Sequence, residues 1–402
     1  MKKPFQITLD QSVLDDLKKR IESTRWPDEI ENSKWEHGTN KSYLQELIEY
    51  WYRDFDWKKQ EDHLNSFAHF KATIDDFEIH FIHQKGKTKN SIPLLLIHGW
   101  PDSFTRFLKL APLLTEADEN GFSFDVIIPS IPGHGFSAIP QASGMNAKKI
   151  AKLFTKLMTA ELGYEKFMAH GGDQGSVVAE QIALYHPDSL FGIHMTDIPY
   201  HHILTTPPAD LNEAEKKYLA AVTKWQMTEG AYNMIQSTKP QTLAYGLNDS
   251  PVGLAAWIVE KFHTWSDAHG NIESCFTKDE LLTNITIYWA TQTIASSFRL
   301  YTEAMNDMMQ YMYNPLTKIN PFDKTGNKIE VPTAVAEFRT DLLPPKDFAN
   351  KFFNIQRWTE MPRGGHFAAM EQPSLLANDI REFGRSCSGI DLEKARRMAH
   401  VN

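Results

Sequence analysis

Phe167-Met168-Ala169-His170-Gly171-Gly172-Asp173-Gln174-Gly175-Ser176 is the stretch on which the fold turns. Phe167 to His170 reads as a short strand and Val177 to Tyr185 has helical spacing, so Asp173 falls on a strand-to-helix turn. Glycines on both sides let the backbone bend there without side-chain clash. A residue held on such a strained turn is presented outward, where it can act as a nucleophile. An aspartate needs no base for this, because a carboxylate with an ordinary pKa of about 4 is already ionised at pH 7. It can attack an electrophilic sp³ carbon directly and form an ester. Taken alone, the motif is also compatible with a Gly-rich turn carrying an incidental Asp.

Outward from this turn, strands and helices alternate. Short apolar runs bounded by Gly, Pro, Asn or Asp predict strands over Phe67 to Thr73, Phe77 to His83, Pro93 to His98 and Phe124 to Pro129. A helix from Asn146 (Ile150, Leu153, Leu157) precedes the Phe167 strand, and a strand at Phe191 to Met195 follows the Val177 helix. Such βαβ alternation implies an α/β fold with a mostly parallel central sheet flanked by helices. From about Thr205 to Ile319 the pattern is helical, with amphipathic stretches such as Leu281 to Met305, before strand-like sequence returns at Val331 to Phe338. A helical cap inserted between two parts of one sheet is the economical arrangement. The first 65 residues show helical periodicity at Leu14-Leu17-Ile21 and Leu44-Leu47-Ile48-Trp51, and no strand run. Trp26-Pro27-Asp28 separates the two helices, since Pro disfavours a helical residue before it. The expected units are a helical meander over 1–65, the two parts of the core over 66–204 and 326–402, and the cap over 205–325.

Other motifs gather around Asp173. His98-Gly99-Trp100-Pro101 follows the Leu94 to Ile97 strand, where α/β-hydrolase folds supply a backbone N–H to an oxyanion hole. The Trp100 and Gln174 amides are the expected donors, although the same residues also suit a plain strand end and turn. Pro132-Gly133-His134-Gly135-Phe136-Ser137 forms a second loop on that edge, with His134 read as a loop residue. Triad order in this fold is nucleophile, acid, histidine. Arg363-Gly364-Gly365-His366-Phe367 offers a Gly-flanked His after the strand-like Asn354 to Trp358, and Asp341 follows the Val331 to Phe338 strand. Asp173, Asp341 and His366 therefore stand in the expected order. His194, His201 and His202 have no such context and are left unassigned.

Composition narrows the partners. With 42% apolar and 12% aromatic residues in 402, the chain can bury a large core, and disorder is not expected. A net charge of −9 argues against phosphate-neutralising contacts with nucleic acid. Cys275 and Cys387 lie far apart, outside any CxxC pair, so neither a disulfide framework nor a thiolate metal site is supported. No run reaches the about 18 apolar residues a membrane span requires. A soluble, cytoplasmic chain without metal or organic cofactor is expected.

These features, with Thr24-Arg25-Trp26-Pro27, Tyr50-Trp51 and Phe55-Asp56-Trp57, resemble the microsomal-type epoxide hydrolases, the family that includes the juvenile-hormone epoxide hydrolases. The resemblance spans nearly the whole chain. It extends to Pro129-Ser130-Ile131-Pro132-Gly133, Ile235-Gln236-Ser237-Thr238-Lys239-Pro240, Leu247-Asn248-Asp249-Ser250-Pro251-Val252-Gly253-Leu254 and Gly364-Gly365-His366-Phe367-Ala368-Ala369. It implies an α/β-hydrolase fold and a small apolar epoxide as substrate with water, opened through a hydroxyalkyl ester on Asp173 that His366 and Asp341 help to hydrolyse. It also implies two cap tyrosines on the epoxide oxygen, by position Tyr232 and Tyr301, which the residues alone would make core aromatics. Two departures stand out. Gln174 replaces the Trp usual after the nucleophile, which leaves the backbone donor in place but alters the packing beside Asp173. The membrane anchor of vertebrate and insect members is also not seen, so no anchor is expected; the residues leave the assembly open between a single chain and a homodimer. A haloalkane dehalogenase uses the same Asp-His-acid logic but commonly relies on the Trp that Gln174 replaces, and has no need of paired tyrosines. A non-catalytic ligand-binding protein on this fold is the rival from another class.

Overall fold

The computed structural model describes residues 1–89, 91–313 and 328–389. Its centre is a nine-stranded sheet of β1 (Lys3–Pro4), β2 (His69–Ile74), β3 (Phe77–Gln84), β4 (Ile92–Ile97), β5 (Phe124–Pro129), β6 (Phe167–Gly171), β7 (Leu190–Met195), β8 (Ile329–Glu337) and β9 (Phe353–Glu360). The spatial order is β1-β2-β3-β5-β4-β6-β7-β8-β9. From β5 to β9 every neighbouring pair is parallel, while β1, β2 and β3 join antiparallel at one edge. The central strands β4, β5 and β6 are buried along their whole length. That explains why they read as unbroken apolar runs, since a parallel sheet is covered on both faces.

Side chains alternate between two cores, as a period of two demands. Leu95, Ile97 and Ala169 point to one face with Ile150, Phe154, Val178 and Ile182, whereas Leu94, Leu96 and Met168 point to the other with Phe107, Leu376, Ile380 and Phe383. Among the described residues, the segment between β7 and β8 is helical and contains no strand. The cap helices Glu213–Thr228, Ala231–Thr238, Pro240–Asp249, Pro251–Trp265, Lys278–Thr291, Ile294–Ser297 and Arg299–Tyr313 lie in this segment.

Three local expectations are corrected. The first 65 residues do include a strand: Lys3 and Pro4 pair with Lys71 and Phe70. Two residues are too short to show any alternation, and the pairing is dictated by the exposed edge of β2. A third helix, Trp57–Leu64, follows the two expected ones, with its buried residues Trp57, Gln60, Glu61 and Leu64 on one face. Two of those four are polar, which hid the stripe. Finally, Leu281 to Met305 is broken at Gln292, whose φ of 54° ends the helix Lys278–Thr291; a short helix Ile294–Ser297 follows, and Tyr301 stands on the next one, Arg299–Tyr313.

The N-terminal helices pack mainly on the cap. Leu17, Ile21, Leu47 and Trp51 share one apolar cluster with Ile258, Phe262, Leu282 and Ile285. Trp51 Nε1 also donates to Thr286 Oγ1 at 3.1 Å.

Candidate active site

Asp173 sits between β6 and the helix Gln174–Tyr185 with φ 54° and ψ −129°, the positive φ that an outward-presented residue on such a turn requires. The turn is so tight that a Cβ on Gly175 would meet the Ile97 carbonyl oxygen at 2.1 Å. Only glycine fits there, which gives the sequence motif its physical cause.

One carboxylate oxygen of Asp173, Oδ1, accepts the Trp100 backbone N–H at 2.9 Å. The Gln174 backbone N–H also favours the charged form of this carboxylate. Of the two expected donors, Trp100 makes a direct hydrogen bond to this group. The Trp100 loop is rigid for several reasons. Gly99 N donates to Asp102 Oδ1 at 2.9 Å, Asn284 Nδ2 to the Pro101 carbonyl at 2.8 Å, and the Tyr288 hydroxyl to the Asp102 carbonyl at 2.8 Å. Arg106, wholly buried, pairs with Asp102 and also donates to the His366 carbonyl, so one guanidinium ties the two loops together.

His366 Nδ1 lies 2.8 Å from Asp341 Oδ1, and Nε2 lies 3.6 Å from Asp173 Oδ2. The backbone on either side is fixed: His366 N–H donates to the Trp265 carbonyl at 2.9 Å, and Glu371 accepts the Gly365 and Phe367 N–H groups at 3.0 and 2.9 Å. A Cβ on Gly365 would come within 2.5 Å of Thr340 Oγ1, so that glycine lets the His loop lie against the Asp341 turn. Burial alone would lower the His366 pKa, but the charges of Asp341 and Asp173 outweigh it and raise it to about 9. Burial pushes Asp173 up from its ordinary value, opposed by His366 and by the Trp100 and Gln174 amides. With His366 protonated at neutral pH, the site holds an imidazolium between two carboxylates.

Tyr232 and Tyr301 come from separate cap helices, yet their rings meet at 6.0 Å, nearly perpendicular. Both pack on Trp100, Tyr232 stacked at 5.4 Å and Tyr301 edge-on at 6.0 Å. Burial and the nearby Asp173 charge raise both phenols well above the ordinary tyrosine value, so both are neutral donors at any physiological pH. The Tyr301 hydroxyl is buried and, among the described residues, has no close hydrogen-bond partner. A cavity of about 570 Å³ opens over Asp173, Tyr232 and Tyr301, its walls otherwise largely apolar, with Val177, Leu204, Trp225, Met227 and Leu300 among them. A larger open cleft of about 990 Å³ near Trp26 and Pro251 includes none of the residues discussed in this section. Size alone does not make a site; convergent titratable groups do.

The sequence reading overlooked Asp102, Arg106, Glu371 and Asp197. The first three brace loops, and nothing local sets them apart. Asp197 follows β7 and lines the same cavity as Asp173. Burial, then the charges of Asp341 and Asp173, raise its pKa to about 7, with Ser176 and His366 opposing. Its position just past a strand C-terminus, on the edge where ligands collect, was the one signal available. His134 is buried and rests against His98, and is not among the residues around the cavity.

Comparison with known proteins gives the family of the chain. A family model described as epoxide hydrolase N terminus matches residues 2–107, and one described as alpha/beta hydrolase fold matches residues 92–229. Epoxide hydrolase 1 of Oryctolagus cuniculus is 39% identical over 415 residues, covering 95% of this chain and 88% of that protein. Juvenile hormone epoxide hydrolase 2 of Ctenocephalides felis is 36% identical over 404 residues, covering 94% and 84%. The crystal structure of juvenile hormone epoxide hydrolase from Bombyx mori superposes with a TM-score of 0.82 at 30% identity, over 97% of this chain and 95% of that one. The chain therefore belongs to the epoxide hydrolase family of α/β-hydrolase-fold enzymes, which convert epoxides to diols. No helix among the described residues is long and apolar enough to cross a membrane.

Proposed function

We propose that Asp173, Asp341 and His366 form the triad of this epoxide hydrolase, with Tyr232 and Tyr301 as the acids and the Trp100 and Gln174 amides as the oxyanion hole. One observation carries the assignment: Asp173 offers one oxygen to the Trp100 amide and the other to His366, on the floor of a cavity roofed by two neutral phenols. In the first step Asp173 attacks an epoxide carbon from the side opposite the C–O bond. That bond breaks, and the departing oxygen takes a proton from Tyr232 or Tyr301. The product is a hydroxyalkyl ester. Esterification removes the Asp173 charge, one of the two that hold the proton on His366. Its pKa falls, the proton is lost to the phenolate or to solvent, and Nε2 is left able to deprotonate water. Water then adds to the ester carbon of Asp173 as His366 takes its proton, and the two amides stabilise the oxyanion. The diol leaves with the proton returned by His366, and the freed Asp173 acid gives its own proton to His366, restoring the resting pair.

The largely apolar wall and the two donors at one end suit an apolar epoxide with a single acceptor oxygen. Cys275 and Cys387 are both free, which fits a reducing, cytoplasmic setting. A single turnover in heavy-oxygen water, with enzyme in excess, tests the covalent route. Unlabelled diol and a labelled Asp173 peptide are expected. Labelled diol with an unlabelled peptide would make Asp173 a general base instead.

A further inference from the structure

Beyond the epoxide site, three metal-ligating side chains meet in the core. Glu180 lies two turns along the helix that starts beside Asp173, about 10 Å from it at 1.5 Å per residue. His201 and His202 start the short helix after β7. All three are buried, and one donor atom from each lies within 4.8 Å of the others. Glu180 Oε1 is 2.7 Å from His202 Nε2, and Oε2 is 3.5 Å from His201 Nε2. Among the described residues, Glu180 forms no ion pair with a lysine or arginine.

We infer that Glu180, His201 and His202 form a binding site for one divalent cation of the zinc type. Two imidazoles and a carboxylate are the ligand set such ions prefer when a fourth position is left to water. Tetrahedral bonds of 2.0–2.1 Å place ligand atoms about 3.3 Å apart. The Glu180–His201 separation is already close to that, and Glu180–His202 needs to open by roughly half an ångström as the metal replaces the shared proton. Binding releases that proton and involves no redox change. His201 and the neighbouring Gln181 also line the Asp173 cavity, which gives the ion an access route and a source for its water. The ion would clamp the segment carrying Tyr200, itself in the cavity wall, to the helix headed by the nucleophile. Its role is structural, and the Asp173 chemistry does not pass through it.

The test uses the full chain without any histidine tag, stripped with a chelator and then titrated with Co²⁺ and Zn²⁺. The wild type is expected to take up one equivalent of Co²⁺ with the intense visible bands of a four-coordinate site, to lose them on adding one equivalent of Zn²⁺, and to melt higher with Zn²⁺ by about 2 °C or more. Glu180→Gln and His201→Gln should each weaken binding at least tenfold and abolish the thermal shift, with their folding checked by circular dichroism. A wild type that takes up no metal overturns the inference without recourse to any variant. So do variants that bind as the wild type does.

Discussion

His366 Nε2 stands 3.6 Å from Asp173 Oδ2, too far for a hydrogen bond but close enough for a strong ion pair. The histidine thus faces the nucleophile without sharing a proton with it, and among the described residues no other group satisfies that nitrogen. Once Asp173 is esterified, the same nitrogen is directed toward the region from which water must approach the ester carbon.

It follows that His366→Gln should alkylate normally but stall. Incubated with a reactive epoxide, this variant is expected to gain the mass of one epoxide on the peptide containing Asp173, while steady-state turnover drops by about 10³-fold or more. Asp341→Asn should show the same defect, about as severe, because the imidazole loses the partner of its Nδ1. If either variant turns over at the wild-type rate without accumulating adduct, the triad is misassigned.

In the proposed mechanism the tyrosines act earlier. Each hydrogen bond to a developing alkoxide is worth roughly 1.5–3 kcal/mol, so Tyr232→Phe and Tyr301→Phe should each slow alkylation roughly 10- to 150-fold. Losing both should cost far more than either. Single-turnover quenching of tryptophan fluorescence, to which Trp100 beside both rings is well placed, would follow the step. A double variant that alkylates at near-normal rate would remove the tyrosines from the mechanism.

Asp197 sets a pH dependence of stability. Its folded pKa of about 7 lies above the 3.8 of the open chain, so between those values the native state keeps a proton that the unfolded state has lost. Its contribution is full below about pH 4 and disappears as pH rises through 7. Asp197→Asn, which cannot ionise, should therefore gain melting temperature relative to the wild type as pH is raised from 4 to 8. Parallel melting curves for the two proteins across that range would contradict the assignment.

Gln174 lines the cavity and its side chain faces Tyr301. Gln174→Trp keeps the backbone donor but fills space, so kcat/KM for bulky epoxides should fall several-fold more than for small ones. Equal losses for both would show that the side chain does not shape the substrate space.

How far the residues disclosed all this depends on how local each cause was. The Asp173 turn and the His366 loop were legible because a Cβ at Gly175 or Gly365 would clash at 2.1 or 2.5 Å, and glycine leaves a mark in the sequence. Central strands were legible because burial on both faces demands unbroken apolar runs. Tyr232 and Tyr301 were visible only through resemblance, since a buried tyrosine in a helix looks the same whether it binds oxygen or fills the core. Asp197 and Arg106 escaped notice because their neighbours come from distant strand ends and loops, and no spacing in the chain encodes which of them meet.

The bonds from Asn284 and Tyr288 to the loop beneath them bear on how such enzymes can be recombined. Both residues belong to the inserted cap, yet they brace the stretch that supplies the Trp100 amide. The insertion is thus not a lid that can be exchanged whole between homologues. A chimera with crossover points at the ends of the insertion would import a foreign strut under a native donor. Crossovers placed before residue 278 would leave Lys278–Thr291 with its own loop, and confine the exchange to the preceding helices, of which Glu213–Thr228 and Ala231–Thr238 line the cavity.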